Sequence, residues 1–370
     1  MAKKQTKTRI DHIFLGSIIL LSGMGLITLY SSAPGFIEDQ LIYSGVGFLF
    51  LAITAVFPLD MLRDKRIVAA GFVVVLGAGI LTRIPGIGTT INGASRWIRI
   101  GSKTFQPSEL MKLFLPFYLA HMLDRKKRGA GEAFENFWRS ILPLFIVTAL
   151  FIIVIGMQNN FSTAGFIAVN MTLIFIMAGI KLRYLIGALI VILTAGSVFI
   201  LMSPHRLNRI YAFFVRDDIQ DAAFQIDKAV SAIKAGGFWG KGFEQGDFSL
   251  IPEVHSDFIF CAYAEEFGFL GVLLYFFLMG VFMAEGYLIA FKTLDMYRRF
   301  MAFGYITIIV SQVFFNIAVS VGVIPTTGIP LPFFSAGGTS LISTLIMCGV
   351  LVNISRASQN LNLLYNSKRR

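Results

Sequence analysis

The sequence predicts an all-α polytopic membrane protein of about ten transmembrane helices, with one large extracytoplasmic loop between spans 7 and 8. Three observations carry this. Of the 370 residues, 56% are hydrophobic and only 14% are charged, against roughly 25% charged in soluble domains; the mean hydropathy is +0.73. Apolar runs approaching the ~20 residues that cross a bilayer recur along the chain. The basic residues fall in short clusters between those runs, as orientation signals do, so the net charge of +11 gives no sign of nucleic-acid binding. Cys261 and Cys348 both lie in apolar runs, so neither a disulfide framework nor a cysteine metal site is expected.

Spans are expected at 13–31, 41–59, 67–84, 110–123, 140–155, 161–180, 182–202, 258–284, 300–321 and 333–354. The fourth can begin at Pro107, because proline is tolerated in the first turn of a helix. A polar, Gly-rich stretch precedes it. The loop 203–257 holds an amphipathic segment at 222–235, with Phe224, Val230 and Ile233 apolar, expected on the membrane surface. The domain organisation is an N-terminal tail (1–12), one membrane domain (13–354) and a basic, disordered C-terminal tail (355–370). No cleavable signal peptide is expected.

With ten spans both termini share a side. That side collects 21 of the 32 Lys and Arg, while the opposite connections around Glu38, Asn159 and Thr326 contain none. The positive-inside rule therefore sets both termini in the cytoplasm. Arg83, Arg96, Arg99 and Lys103 defy the rule, with Lys112 just inside the next span and six more basic residues in the long outer loop. An anionic substrate is one explanation.

The chemistry concentrates in 243–271, FEQGDFSLIPEVHSDFIFCAYAEEFGFLG. Asp257 stands at the entry to the eighth span, where partial desolvation makes a carboxylate a better proton acceptor; Glu253 and His255 are close enough in sequence to tune it. The alternative is that Asp257 simply caps the helix. Glu265 and Glu266 lie inside the span, where an ionisable residue needs a partner or a polar cavity; a structural ion pair is the favoured reading. Arg96, Arg99, Lys103 and Lys112 could bind a diphosphate, arginine bidentately and lysine as a point charge. Interfacial anchoring by Trp97 and its arginines is the alternative. Glu109 and Lys112, three apart, can pair on one helix face. GGFWGKGFEQG reads as tight turns or a flexible surface loop. In GIPLPFFSAGGTS, Pro330 and Pro332 break the helix pattern, which at membrane depth is tolerated only against protein or a cavity.

These motifs resemble the SEDS family (shape, elongation, division and sporulation), the peptidoglycan polymerases of the FtsW, RodA and SpoVE type. NGASRWI at 92–98, FQPSELMK at 105–112, GGFWGKG at 236–242, IPEVHSDFIF at 251–260, AEEFGFLG at 264–271 and GIPLPFFSAGGTS at 328–340 carry the resemblance over nearly the whole chain. HSDFIF and PTTGIPLP look closer to the FtsW and SpoVE branch. Asn160, Lys228–Ala229 and Ala336 stand where the family usually has Asp, Gln-Ser and Tyr.

The resemblance implies a ten-span glycosyltransferase that polymerises lipid II into glycan strands at the outer face of the cytoplasmic membrane, in cell division. Its essential acid falls on Asp257. The diphosphate contacts fall on Arg96, Arg99, Lys103 and Lys112, with Arg206 and Arg209 as alternates. Glu109, Gln158, Glu253, His255, Ser256, Glu265, Glu266 and Pro332 support the site. No cofactor is demanded; a divalent cation, Mg2+ or Mn2+, is the one candidate, and no metal-ligating residues are assigned. The implied partners are lipid II, an undecaprenyl-diphosphate-linked glycan, a class B penicillin-binding protein and further division proteins. The competing readings are a lipid II flippase, a non-catalytic division scaffold and a role in elongation.

Overall fold

A computed structural model describes residues 11–91, 94–101, 103–129, 137–201, 221–248, 251 and 253–367. Eleven helices are described: α1 (His12–Ser32), α2 (Ile37–Val56), α3 (Lys65–Leu81), α4 (Pro107–Gly129), α5 (Leu142–Met157), α6 (Phe161–Ala178), α7 (Leu182–Leu201), α8 (Asp221–Gly236), α9 (Ile259–Lys292), α10 (Met296–Ser320) and α11 (Gly338–Ser367). Short polar caps start several of them. The Asp11 and Asp295 carboxylates each accept a backbone N–H at 3.0 Å, from Phe14 and Arg298, and Asp64 accepts from Arg66 at 2.8 Å.

By length and composition, seven of the described helices suffice to cross a membrane: α1, α2, α5, α6, α9, α10 and α11, the last counted to Ala357. The other three expected spans coincide with helices that miss this measure. α3 has 17 residues, α4 ends in the charged run DRKKRG, and α7 is credited only over Leu182–Ile192.

Several boundaries differ from expectation. α2 starts four residues earlier, directly after the 3-10 turn Pro34–Phe36, and ends before Pro58. α10 starts at Met296, because Arg298 and Arg299 sit in its first turn, where hydropathy alone breaks the run. The tenth span was expected from Phe333, but α11 begins at Gly338; Pro332 to Ala336 form turns, with Phe333 at φ 69°. Helix continues to Ser367, through residues expected to be a disordered tail.

One feature departs from the all-helical reading. The polar stretch before α4 is a three-stranded antiparallel sheet, β1 (Gly88–Ile91), β2 (Ala94–Ile100) and β3 (Lys103–Phe105), in the order β1-β2-β3. Its sequence signal is Asn92-Gly93 between alternating residues, the strongest short hairpin cue. The amphipathic segment is helical as expected (α8), and one face of it packs on protein. Ala229 and Ala232 join Phe258, Cys261 and Val319 in a small core of their own.

The main core lies where α1, α4, α9, α10 and α11 meet; Phe14 stacks on Phe282 at 5.0 Å and Phe117 meets Tyr297 edge-on at 6.2 Å. α10 is central, with 67% of its span buried, against 22% for α9. α9 has 34 residues but is not continuous: Gly268 adopts φ 61°, ψ −163°.

Candidate functional site

Three separate stretches build the site. The first is the turn segment before α9. Asp257 and Ser256 donate their N–H groups back to the Glu253 carbonyl, at 3.2 and 3.0 Å. The capping alternative for Asp257 fails: the N-cap position is Phe258, with no side-chain cap bond. His255 stacks on Phe36 with ring centroids 4.1 Å apart and sits 3.5 Å from Glu253, which is 53% exposed.

The second stretch, 328–337, carries the two prolines. Most of it belongs to no helix or strand, so side chains from elsewhere satisfy several of its backbone groups, as burial requires. Asn316 Nδ2 donates to the carbonyls of Asp257 and Ile329, each at 2.9 Å. Gln312, one turn away on α10, donates to the Pro330 carbonyl at 3.1 Å. The Ser335 hydroxyl donates to the Ser256 carbonyl at 2.5 Å and accepts the Leu331 N–H at 2.7 Å. Ala336 N–H donates to the His255 carbonyl at 2.8 Å, and Gln40 of α2 donates to the Ser335 carbonyl at 3.0 Å. Pro332 is buried in this turn. The segments before α9 and α11 are thus stitched into one surface.

The third stretch is the sheet. Thr89 lies opposite Trp97 and Thr90 opposite Ser95, so Arg96 is the extra residue of a β-bulge. Bulges re-aim a side chain out of the regular alternation. The Arg96 guanidinium lies 4.3 Å from the Trp97 ring centroid.

The three meet at Gly328, in the left-handed region at φ 69°. A Cβ built on it would lie 3.8 Å from Asp257 Oδ2 and 3.9 Å from Arg96 Nη1. The carboxylate and the guanidinium therefore flank one small space and are less than 8 Å apart. An acid and a cation so arranged can accept a proton from one group and stabilise anionic charge on another.

The other predicted residues fall elsewhere. Lys112 is buried and paired with Glu109 at 2.7 Å, with Gln312 Oε1 at 3.4 Å; the Ser343 hydroxyl donates to Glu109 at 3.2 Å. Through Gln312 this buried polar chain ends at the Pro330 carbonyl, under the site. Lys103 pairs with Asp39 at 2.5 Å in an exposed position, and that carboxylate raises the lysine pKa. Arg99 is exposed. Gln158 is fully buried against α3, donating to the Gly79 carbonyl at 2.9 Å. Arg206 and Arg209 lie outside the described residues.

Glu265 and Glu266 hold a loop onto the broken helix. Lys241 pairs with Glu265 at 2.5 Å; Glu266 accepts from the Ser31 hydroxyl and, at 3.0 Å, from the Glu244 N–H. The glycine-rich stretch is built into the break at Gly268 and is not a free surface loop. Lys241 and Gly242 donate to the Glu265 and Glu266 carbonyls at 2.9 and 3.1 Å, and Phe269 donates to the Gly237 carbonyl at 2.9 Å.

Gln40, Gln312, Asn316 and Ser335 are the supporting residues that the motif reading passed over. A signal existed for two of them: Gln312 and Asn316 are polar at i and i+4 in an otherwise apolar span, which places them on one face. Among the described residues no group of three His, Cys, Asp or Glu side chains could hold a metal ion.

Comparisons with known proteins agree with this architecture. The family model FTSW_RODA_SPOVE, described as "Cell cycle protein", matches residues 6–360. A probable peptidoglycan glycosyltransferase FtsW of Geobacter sp. (strain M18) is 33% identical over 93% of this chain and 96% of its own. Stage V sporulation protein E of Bacillus subtilis (strain 168) is 32% identical, covering 95% and 99%. Among solved structures, one described as structural coordination of polymerization and crosslinking by a peptidoglycan synthase complex superposes with a TM-score of 0.75 at 25% identity, covering 94% and 98%. An aspartate-to-alanine mutant of the Thermus thermophilus rod shape determining protein RodA gives 0.67 at 26%, covering 94% and 97%.

Proposed function

Because the chain belongs to the FtsW, RodA and SpoVE family of cell cycle proteins, we propose that it is a peptidoglycan glycosyltransferase of cell division with its reaction centre at Asp257. The observation that carries the site is the shared space at Gly328, flanked by the Asp257 carboxylate and the Arg96 guanidinium.

The growing glycan supplies a MurNAc C1 bonded to undecaprenyl diphosphate, and lipid II supplies the GlcNAc 4-hydroxyl. That oxygen attacks C1 from the face opposite the diphosphate, so the configuration inverts. Asp257 takes the hydroxyl proton, the new C1–O4 bond forms and the C1–O bond to the diphosphate breaks. The departing diphosphate keeps the bonding pair, and Arg96, preorganised by its bulge and Trp97, lowers the barrier by meeting that charge. Lys112 acts from beneath through Gln312 and the Pro330 carbonyl, while Arg99, Lys103, Arg206 and Arg209 remain candidates for the outer phosphates. A divalent cation, Mg2+ or Mn2+, is the one cofactor this reading admits; held through the substrate's phosphates, it would share that charge with the chain's own cations.

The chain works in the cytoplasmic membrane with ten spans, both termini cytoplasmic and Asp257 on the outer side. Its partner is a class B penicillin-binding protein that crosslinks the new strand; the similarity to a solved peptidoglycan synthase complex supports this pairing. Purified protein in vesicles with lipid II tests the chemistry. Asp257→Asn should cut polymerisation by about 10²–10⁴-fold, and Arg96→Ala by about 10²–10³-fold. Full activity in Asp257→Asn sinks the general-base role. Lipid II that crosses the vesicle without being polymerised would favour the flippase instead. A fluorescent fusion that decorates the side wall and not midcell would replace division with elongation.

A further inference from the structure

An apolar groove of about 870 Å³ runs between α5, α6 and α7, and none of its lining residues belongs to the site at Asp257. Phe145, Ala149, Ala168 and Phe175 line its length. One end differs in chemistry. There Phe137 stacks on Tyr184 at 4.9 Å, and Arg183 donates to the Tyr184 hydroxyl at 2.7 Å, with its guanidinium 4.7 Å from that ring. Arg183 is exposed, as is the adjacent Lys181. Arg139 lies two residues from Phe137, and its carbonyl accepts from Lys126 at 2.5 Å. Trp138 is 73% exposed, as an aromatic residue at a membrane interface is. At the opposite end the described lining residues, Gly156, Met157 and Phe161, are uncharged.

We propose that this groove seats an acyl chain of an anionic phospholipid whose headgroup phosphate rests on Arg183. The charge pattern selects the occupant. A phospholipid of the leaflet at the basic end puts its phosphate where Arg183, Lys181 and Arg139 are. A lipid-linked substrate whose sugar must reach Asp257 carries its phosphates at the opposite end. Each basic residue near the headgroup contributes roughly a fivefold preference for anionic over zwitterionic lipid. Tyr184 holds the guanidinium in place, so arginine is positioned before the lipid arrives.

Native mass spectrometry of the detergent-purified full chain, titrated with phosphatidylglycerol and phosphatidylcholine of identical chains, tests this. The wild type should bind phosphatidylglycerol about fivefold tighter or more. Arg183→Gln should lower that preference about fivefold, and Arg183→Lys should keep it. Gly165→Leu fills the groove at a position where a Cβ meets nothing within 4 Å, and should weaken both lipids. Equal binding of the two lipids by the wild type, or an unchanged preference in Arg183→Gln, overturns the proposal. Phosphatidylglycerol with a photoreactive acyl chain should label α5, α6 or α7. Label confined to other helices also overturns it, as does displacement of that label by equimolar undecaprenyl diphosphate, which would make the groove an isoprenoid site.

Discussion

Gly328 is where single atoms decide the outcome. Its φ of 69° is unfavourable for any residue with a Cβ, and a methyl group there would occupy the space between Asp257 and Arg96. Gly328→Ala should cost about 1 kcal/mol from left-handed strain, seen as a small drop in melting temperature. Polymerisation should fall at least about tenfold, more than that strain explains, because the methyl group displaces substrate. Equal, small losses in both measurements would mean that substrate does not enter this space. At this scale the sequence marked Asp257 and Arg96 because each breaks a rule: an acid at a span entry, a base on the wrong side. It did not mark Asn316 as the residue that ties Asp257 to the proline turn, because its partner carbonyls come from other segments.

Among the elements, α9 shows how a broken span is held. Gly268 opens the helix, and the loop from Gly237 to Gly242 supplies the missing hydrogen-bond partners. The approach is so close that a Cβ on Gly268 would fall on the Gly240 backbone nitrogen. The buried Glu265 is matched by Lys241. Removing one partner of a buried pair costs roughly 3–5 kcal/mol; Lys241 is 37% exposed, so solvent screening reduces the expected loss in Lys241→Met to about 2 kcal/mol. Glu265→Gln in the same chain should recover most of it, a coupling that a double-mutant cycle of thermal melts measures directly. An unshifted melt in Lys241→Met would remove the pair from the account of stability. The sequence identified Glu265 as needing a partner but not which one. Six basic residues lie in the long loop, and only the fold brings Lys241 to the break.

Across the whole molecule, a charge network fastens the end opposite the site. Arg63, between α2 and α3, pairs with Asp295, the N-cap of α10, at 2.5 Å, and Arg298 pairs with Asp60 at 2.9 Å. Burial alone would raise the Asp295 carboxyl pKa, but the Arg63 guanidinium and the Arg298 N–H outweigh it and hold the pKa below the usual range. A depressed carboxyl pKa contributes stability above its unfolded value, about 3.9, and loses it as pH falls through the folded value. The melting temperature of the wild type should therefore exceed that of Asp295→Asn near neutral pH, and the gap should begin to narrow below about pH 4 and close once the pH is below the depressed folded value. Asparagine caps the helix as aspartate does, so a gap that stays constant from neutral pH to about pH 3 would remove the charge of Asp295 from the account.

What the sequence determined by itself is local: a membrane protein, helices where apolar runs occur, the family, and the stretches that carry chemistry. Hydropathy, charge placement and motif wording are properties of neighbouring residues, and a bilayer acts on them one segment at a time. The tertiary structure decided what those stretches do to one another. It turned a polar connection into a sheet whose bulge aims Arg96, placed that side chain and Asp257 on either side of Gly328, and plugged the gap in α9 with a glycine loop. Each of these depends on backbone groups left unpaired in one segment and satisfied by another far along the chain. Burial forces that pairing without dictating, in sequence, which segment will provide it.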